Sequence, residues 1–170
     1  MNTAGEELYK LKAPELAPKL LGCYLCRKMK DGGVLRLKIT ETEAYFGEED
    51  TACHAHKGKT PRTEVMYRDG GCAYVYLCYG IHSLLNIVCG VEGHPEAVLI
   101  RGVDGANGPG KLTKLMDITR EQNGIILSEE NGLWIEDGGK AVAYTTAPRV
   151  GIDYADPLDR DRKWRFIIKN

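Results

Sequence analysis

Glu41 and Glu43 stand two residues apart, followed by Tyr45 and Cys53-His54 and, further on, by Tyr74, Tyr76, Tyr79 and Asn86. Residues two apart on an extended strand point to the same side. Two carboxylates so placed repel each other and push one pKa upward, which suits a general base. Phenol rings offer flat faces for stacking, while an imidazole and a carboxamide read polar edges, so the set is suited to handling a nucleobase. Spacing alone describes an exposed acidic strand end better. The neighbouring Tyr45 and His54 shift the balance towards chemistry.

Such groups need rigid elements to hold them. Residues 23–29 and 34–40 read as strands joined by Lys30-Asp-Gly-Gly33, a tight-turn composition. The second strand is predicted to deliver Glu41 and Glu43 where it passes into a loop, a common place for functional side chains. Upstream, residues 13–22 read as a helix with Pro14 and Glu15 in its first turn. Leu16, Leu20 and Leu21 share one face, Gly22 is the stop, and Pro18 is a source of kinking. Residues 73–79 and 83–88 read as a second hairpin with Tyr79-Gly-Ile-His82 at its tip. Exposed bulk at a turn is costly unless it docks into something. Tyr74 and Tyr76 share one strand face, and Tyr79 falls on the other if the strand stays regular.

The segment 46–71 is polar and irregular. Between Lys57 and Arg68, the bases Lys57, Lys59, Arg62 and Arg68 meet one acid, Glu64. Most such runs are solvated loops; what flanks this one favours a loop facing phosphates. Residues 97–101 read as a buried strand ending in Arg101, and 108–116 as a short helix with Leu112, Leu115 and Met116 inward. Short strands are expected at 133–136, 141–144, 149–150 and 164–168, with a charged loop at 153–163.

With 170 residues and 43% hydrophobic content, one substantial core is within reach, and a single domain over 1–170 is expected. Lys+Arg 23 against Asp+Glu 24 leaves a net charge of −1, so any contact with phosphates must come from a local cluster. The start Met-Asn-Thr-Ala-Gly lacks a basic stretch and an apolar run, and no apolar stretch reaches membrane-spanning length. An intracellular, non-membrane location with reduced cysteines is therefore expected. Cys78 and Cys89 lie in apolar runs, where a free cysteine acts as a small hydrophobe.

Cys53-His-Ala-His56 packs three donors into four residues, too tight to close around one ion, and Cys23-Tyr-Leu-Cys26 is a solitary pair on a predicted strand. No metal and no other cofactor is expected. The zinc deaminase signature, His-x-Glu with Pro-Cys-x-x-Cys, is absent. Gly105-Ala-Asn-Gly-Pro-Gly-Lys111 approaches a phosphate-cradling loop but continues into Leu112, where Ser or Thr should hold magnesium. Lys111 at a helix start is either a contact to a single backbone phosphate or part of an ordinary helix start.

Glu41-Thr-Glu-Ala-Tyr-Phe-Gly, Thr60-Pro-Arg, Tyr74-Val-Tyr-Leu-Cys-Tyr-Gly, Asn86-Ile, Val98-Leu-Ile-Arg101, Gly108-Pro-Gly-Lys-Leu and Arg149-Val-Gly-Ile-Asp-Tyr follow one another over nearly the whole chain. In that order they resemble the 3-methyladenine (alkyladenine) DNA glycosylase family, which removes damaged bases in base-excision repair. The resemblance implies that Glu43 activates water, held with the help of Arg101 and the Val150 carbonyl. Tyr45, Tyr76 and His54 would wall the flipped base, with Asn86 screening its exocyclic groups and Leu99 lining the pocket. Tyr79 would enter the minor groove. Independently of the resemblance, the basic cluster of Lys57, Lys59 and Arg62, together with Lys111, supplies candidate contacts to the DNA backbone. His54 is also a candidate proton donor to a neutral leaving base.

The expected fold is α+β: one mixed domain with a curved, largely antiparallel sheet, a protruding hairpin and short flanking helices. The expected activity is metal-independent hydrolysis of the N-glycosidic bond by a monomer acting on damaged double-stranded DNA. Substrates would be alkylated or deaminated purines: 3-methyladenine, 7-methylguanine, hypoxanthine and ethenoadenine. Two rivals remain: a non-catalytic damage binder, and a nucleotide phosphohydrolase using the loop from Gly105 to Lys111.

Overall fold

The computed structural model describes residues 2–169. Strands β1 (Tyr24–Lys28) and β2 (Val34–Phe46) form the first hairpin, and β2 changes partners along its length. Beyond Ile39 one edge of β2 pairs with β5 (Glu96–Val103), while Glu41 to Glu43 pair on the other edge with β9 (Arg165–Ile168). The register shifts on both sides of Glu41, and such bulges bend a strand.

With β3 (Ala73–Cys78), β4 (His82–Val88) and β7 (Leu133–Glu136), the main order is β3-β4-β5-β2-β1-β7. Strand β6 (Ala106–Asn107) joins β5, and β8 (Tyr144–Ala147) joins β9. All these pairings are antiparallel. Four short helices complete the structure: α1 (Glu6–Tyr9), α2 (Ala13–Lys19), α3 (Pro109–Leu115) and α4 (Pro157–Arg160). The α+β fold with a curved antiparallel sheet is thus as expected from the sequence.

One face of the sheet builds the main core. Leu16 and Ala17 of α2, Leu20 at its C-cap, and Leu112 and Met116 of the α3 region pack there against Val75, Leu85, Ile87, Val98 and Ile100. Gly110 eases the close approach of α3 to the hairpin, since a Cβ there would lie 3.1 Å from side-chain atoms of His82, which would have to shift. On the other face Ala55, Val65 and Met66 cover Tyr74, Val88 and Ala97. Segment 46–71 is therefore a folded cover carrying two 3-10 turns, His54–Lys57 and Glu64–Tyr67, and not a solvated loop.

Several boundaries differ from expectation. Strand β2 runs through Glu41 and Glu43 to Phe46, because Arg101 and Arg165 pair with the acids that read as a strand end. The strand expected at 141–144 begins at Tyr144, where pairing with Ile168 becomes available. Arg149 and Val150 lie outside any strand, drawn away by side-chain bonds described below. Leu115 is 44% exposed because the buried face of α3 centres on Leu112, Thr113 and Met116. Within the loop expected at 153–163, α4 forms with Pro157 in its first turn.

Candidate active site

Cross-strand register assembles the site. Tyr74 on β3 pairs with Asn86 on β4, Asn86 with Leu99 on β5, Leu99 with Glu43 on β2, and Glu43 with Arg165 on β9. Residues directly opposite in a sheet project from the same face. Five positions scattered through the chain thus form one row, and Tyr76 and Tyr45 stand two residues to either side of it on the same face.

Over this row opens a cavity of about 750 Å³. Tyr45, His54, Arg62, Tyr76, Tyr79, Asn86, Leu99, Arg101, Lys111 and Val150 all border it. Lys57 and Lys59 do not; Lys57 ends the 3-10 turn after His54, and the Lys59 ammonium lies 5.7 Å from the Tyr67 ring centroid. Tyr154, which closes the motif starting at Arg149, also borders the cavity, as do Met66 and Lys114, which nothing in the sequence marked.

Glu43 is fully buried beneath the cavity. Its Oε1 accepts the Val150 N–H at 2.9 Å and lies 3.3 Å from Arg101 Nη1, while Oε2 accepts the Tyr45 hydroxyl at 2.9 Å. Burial raises the pKa above the ordinary carboxylate value, against opposition from Arg101, the Val150 amide and Tyr45. Burial also keeps the Tyr45 phenol protonated, so it donates. The contact from Val150 is made by its amide. Glu41 does share the face of Glu43, but it holds Arg101 Nε at 3.3 Å and Arg165 Nε at 2.6 Å. One carboxylate orients the guanidinium that the other meets.

Arg149 fixes the backbone that presents the Val150 N–H. Its buried guanidinium grips Asp50 through both terminal nitrogens, at 2.6 and 2.9 Å, and donates to the carbonyls of Ala44 and Asp159. It also stacks 4.9 Å from the Tyr45 ring centroid. Asp50 and Arg149 are 99 positions apart, so the sequence carried no signal for this pair.

His54 and Tyr76 meet edge to face at 4.4 Å between centroids, and Tyr74 lies 5.5 Å from Tyr76. His54 Nδ1 is 3.2 Å from the Tyr74 hydroxyl. Burial, helped by the charge of Arg62, lowers the His54 pKa to about 4. At neutral pH it is therefore a neutral imidazole, which leaves it with one ring N–H to donate. Asn86 donates to the Tyr74 carbonyl at 3.2 Å, which fixes its carboxamide against the cavity.

At the cavity mouth the β3–β4 hairpin leaves Tyr79 92% exposed and Ile81 74% exposed. Tyr79 and Gly80 have φ of +52° and +67°, and Ile81 N–H closes the turn on the Cys78 carbonyl. Positive φ at both central residues matches the twist of a hairpin. Glycine tolerates this freely, but tyrosine does not. The turn places Tyr79 at the cavity instead of on an opposite strand face.

The segment from Gly105 to Lys111 forms no phosphate cradle. Ala106 and Asn107 pair with Val103 and Gly102 as a strand, and a helix follows immediately. Among the described residues no group of three or more His, Cys, Asp or Glu could hold a metal ion, and no helix is long and apolar enough to cross a membrane.

The family model for methylpurine-DNA glycosylase matches residues 7–106 and 103–170. The chain belongs to that family. A protein of Methanocella arvoryzae, provisionally named 3-methyladenine DNA glycosylase, is 42% identical over 96% of this chain and 91% of its own. One of Psychrobacter cryohalolentis with the same provisional name is 44% identical over 82% and 80%. The Arabidopsis thaliana DNA-3-methyladenine glycosylase is 42% identical over 95% of this chain and 70% of its own. As a methylpurine-DNA glycosylase the protein is a DNA-repair hydrolase of N-glycosyl bonds.

Proposed function

We propose that the chain acts as a single monofunctional glycosylase domain on damaged double-stranded DNA inside the cell, as a monomer. It turns alkylated or deaminated purines out of the duplex into the cavity and hydrolyses the N-glycosidic bond, leaving an abasic site. The class includes 3-methyladenine, 7-methylguanine, hypoxanthine and ethenoadenine. The observation that carries this reading is Glu43, buried behind Tyr45, Arg101 and the Val150 amide beneath an aromatic cavity.

In this mechanism Tyr79 enters the minor groove and occupies the space of the extruded nucleotide. Unstacking a base costs a few kcal/mol and least at damaged or mispaired sites. Tyr45, Tyr76 and His54 wall the base, Asn86 screens its exocyclic groups, and Leu99 closes the end. Glu43, made more basic by burial, takes a proton from water as the water attacks the anomeric carbon. Arg101 and the Val150 carbonyl help hold that water. Lys111 at the rim, with Lys57 and Lys59 beyond it, faces the phosphates.

The test is excision from a duplex carrying one hypoxanthine and from methylated DNA, in EDTA, scored by released base and alkali-labile sites. Wild-type protein is expected to excise, and Glu43→Gln to bind but not excise. A Glu43→Gln protein that excises normally would overturn the assignment. Damage-selective binding without excision by wild type would replace it with a binding function.

A further inference from the structure

Aromatic walls ordinarily favour a cationic ring, because the face of a phenol is electron-rich. In this cavity both principal tyrosines already carry a cation. The Arg149 guanidinium lies 4.9 Å from the Tyr45 ring centroid and the Arg62 guanidinium 5.2 Å from that of Tyr76. The two differ in their surroundings. Arg149 is neutralised by Asp50, whereas Arg62 is exposed at the cavity and its charge reaches His54 and Tyr74. Arg62 has no ion pair among the described residues.

We propose that Arg62 is a specificity-determining residue, which sets the pocket against cationic purines and in favour of neutral ones such as hypoxanthine. It rests on the base-excision reading given above. Arg62 occupies the electron density that Tyr76 would offer a charged base, and its full charge repels a second cation stacked at the same ring. A cationic lesion needs this binding least, since its own charge makes it a good leaving group. A neutral lesion brings no such help, so its excision depends on how well the pocket holds it. Arg62 would thus direct pocket affinity to the substrates whose excision depends on it.

The experiment measures single-turnover excision from two otherwise identical duplexes, one carrying hypoxanthine and one 7-methylguanine. It compares wild type, Arg62→Gln, Arg62→Lys and Glu43→Gln. The expected result is that Arg62→Gln raises the ratio of 7-methylguanine to hypoxanthine excision roughly 2- to 30-fold, the range of a cation–π contact. Arg62→Lys, which keeps the charge, should stay nearer the wild-type ratio. An unchanged ratio with both rates reduced equally would make Arg62 a phosphate contact only and overturn the proposal; a lowered ratio would also overturn it. Failure of wild type to excise either base would instead overturn the base-excision reading. Unchanged thermal unfolding of Arg62→Gln separates these outcomes from misfolding.

Discussion

The end of β2 and the tip of the β3–β4 hairpin border the same cavity and are built in opposite ways. At β2, Glu43 is fully buried, both carboxylate oxygens are bonded, and each partner is itself fixed by another group. At the tip, Tyr79 is 92% exposed on a turn with φ of +52°. The difference separates two tasks. Under the proposed mechanism, placing a proton acceptor demands a geometry that survives without substrate, whereas a wedge gains its contacts only when a duplex arrives.

The largest effect expected from breaking the contrast comes at the fixed end. Glu43→Gln should reduce excision by roughly 10²–10⁴-fold, the usual contribution of a general base. Because it replaces a buried charge with a neutral isostere, thermal stability should hold or rise. A loss of folding would show that the carboxylate is structural and deny it a purely chemical role. Arg149→Met strikes the scaffold instead and leaves Asp50 buried without its cation. Breaking one partner of a buried pair costs about 3–5 kcal/mol, measurable by urea unfolding. A cost below about 1 kcal/mol, the usual worth of an exposed pair, would mean that the Arg149–Asp50 clamp does not brace Val150.

At the free end the pattern should reverse. Tyr79→Ala is expected to leave stability within about 0.5 kcal/mol, as for an exposed side chain. Affinity for a lesion-bearing duplex should fall by about 1–3 kcal/mol, the scale of aromatic stacking on bases. Titration of labelled duplex at fixed salt reads the second effect. Equal weakening for damaged and undamaged DNA would reduce Tyr79 to a general contact and remove the contrast.

Legibility in the sequence follows the same division. Both hairpins and the helix at residues 13–22 were readable, because local alternation and turn composition decide them, whereas the pocket residues were named only through the family resemblance. Glu41 and Glu43 were misplaced at a strand end because their neutralising partners, Arg101 and Arg165, lie 60 and 124 positions away. Arg149 appeared in a motif without a task for the same reason. Bonds between distant residues leave no periodicity, so the hidden part of the site is the set of groups that orient Glu43, Arg101 and Val150. The exposed hairpin tip was easier to see: bulk such as Tyr79 at a turn is anomalous on its own terms.

The smallest predicted effect separates chemistry from scaffold by pH. His94 props the segment after β2, with Nε2 2.8 Å from Glu49, Nδ1 2.8 Å from Glu96, and its ring against Phe46 at 5.1 Å. Burial alone would lower its pKa, but hydrogen bonds to Glu49 and Glu96 outweigh that and raise it. A raised histidine contributes stability that is complete below its unfolded pKa, ordinarily about 6.5, and is lost as pH rises through the folded value. Unfolding free energy should therefore decline upward from that point, and His94→Gln should flatten the decline. Excision should instead rise with pH as Glu43 ionises, over a limb displaced above the ordinary carboxylate range because burial raises that group. If His94→Gln moved the excision limb as well, β2 would transmit the state of its far turn to the base, and the fixed end would be less rigid than its hydrogen bonds imply.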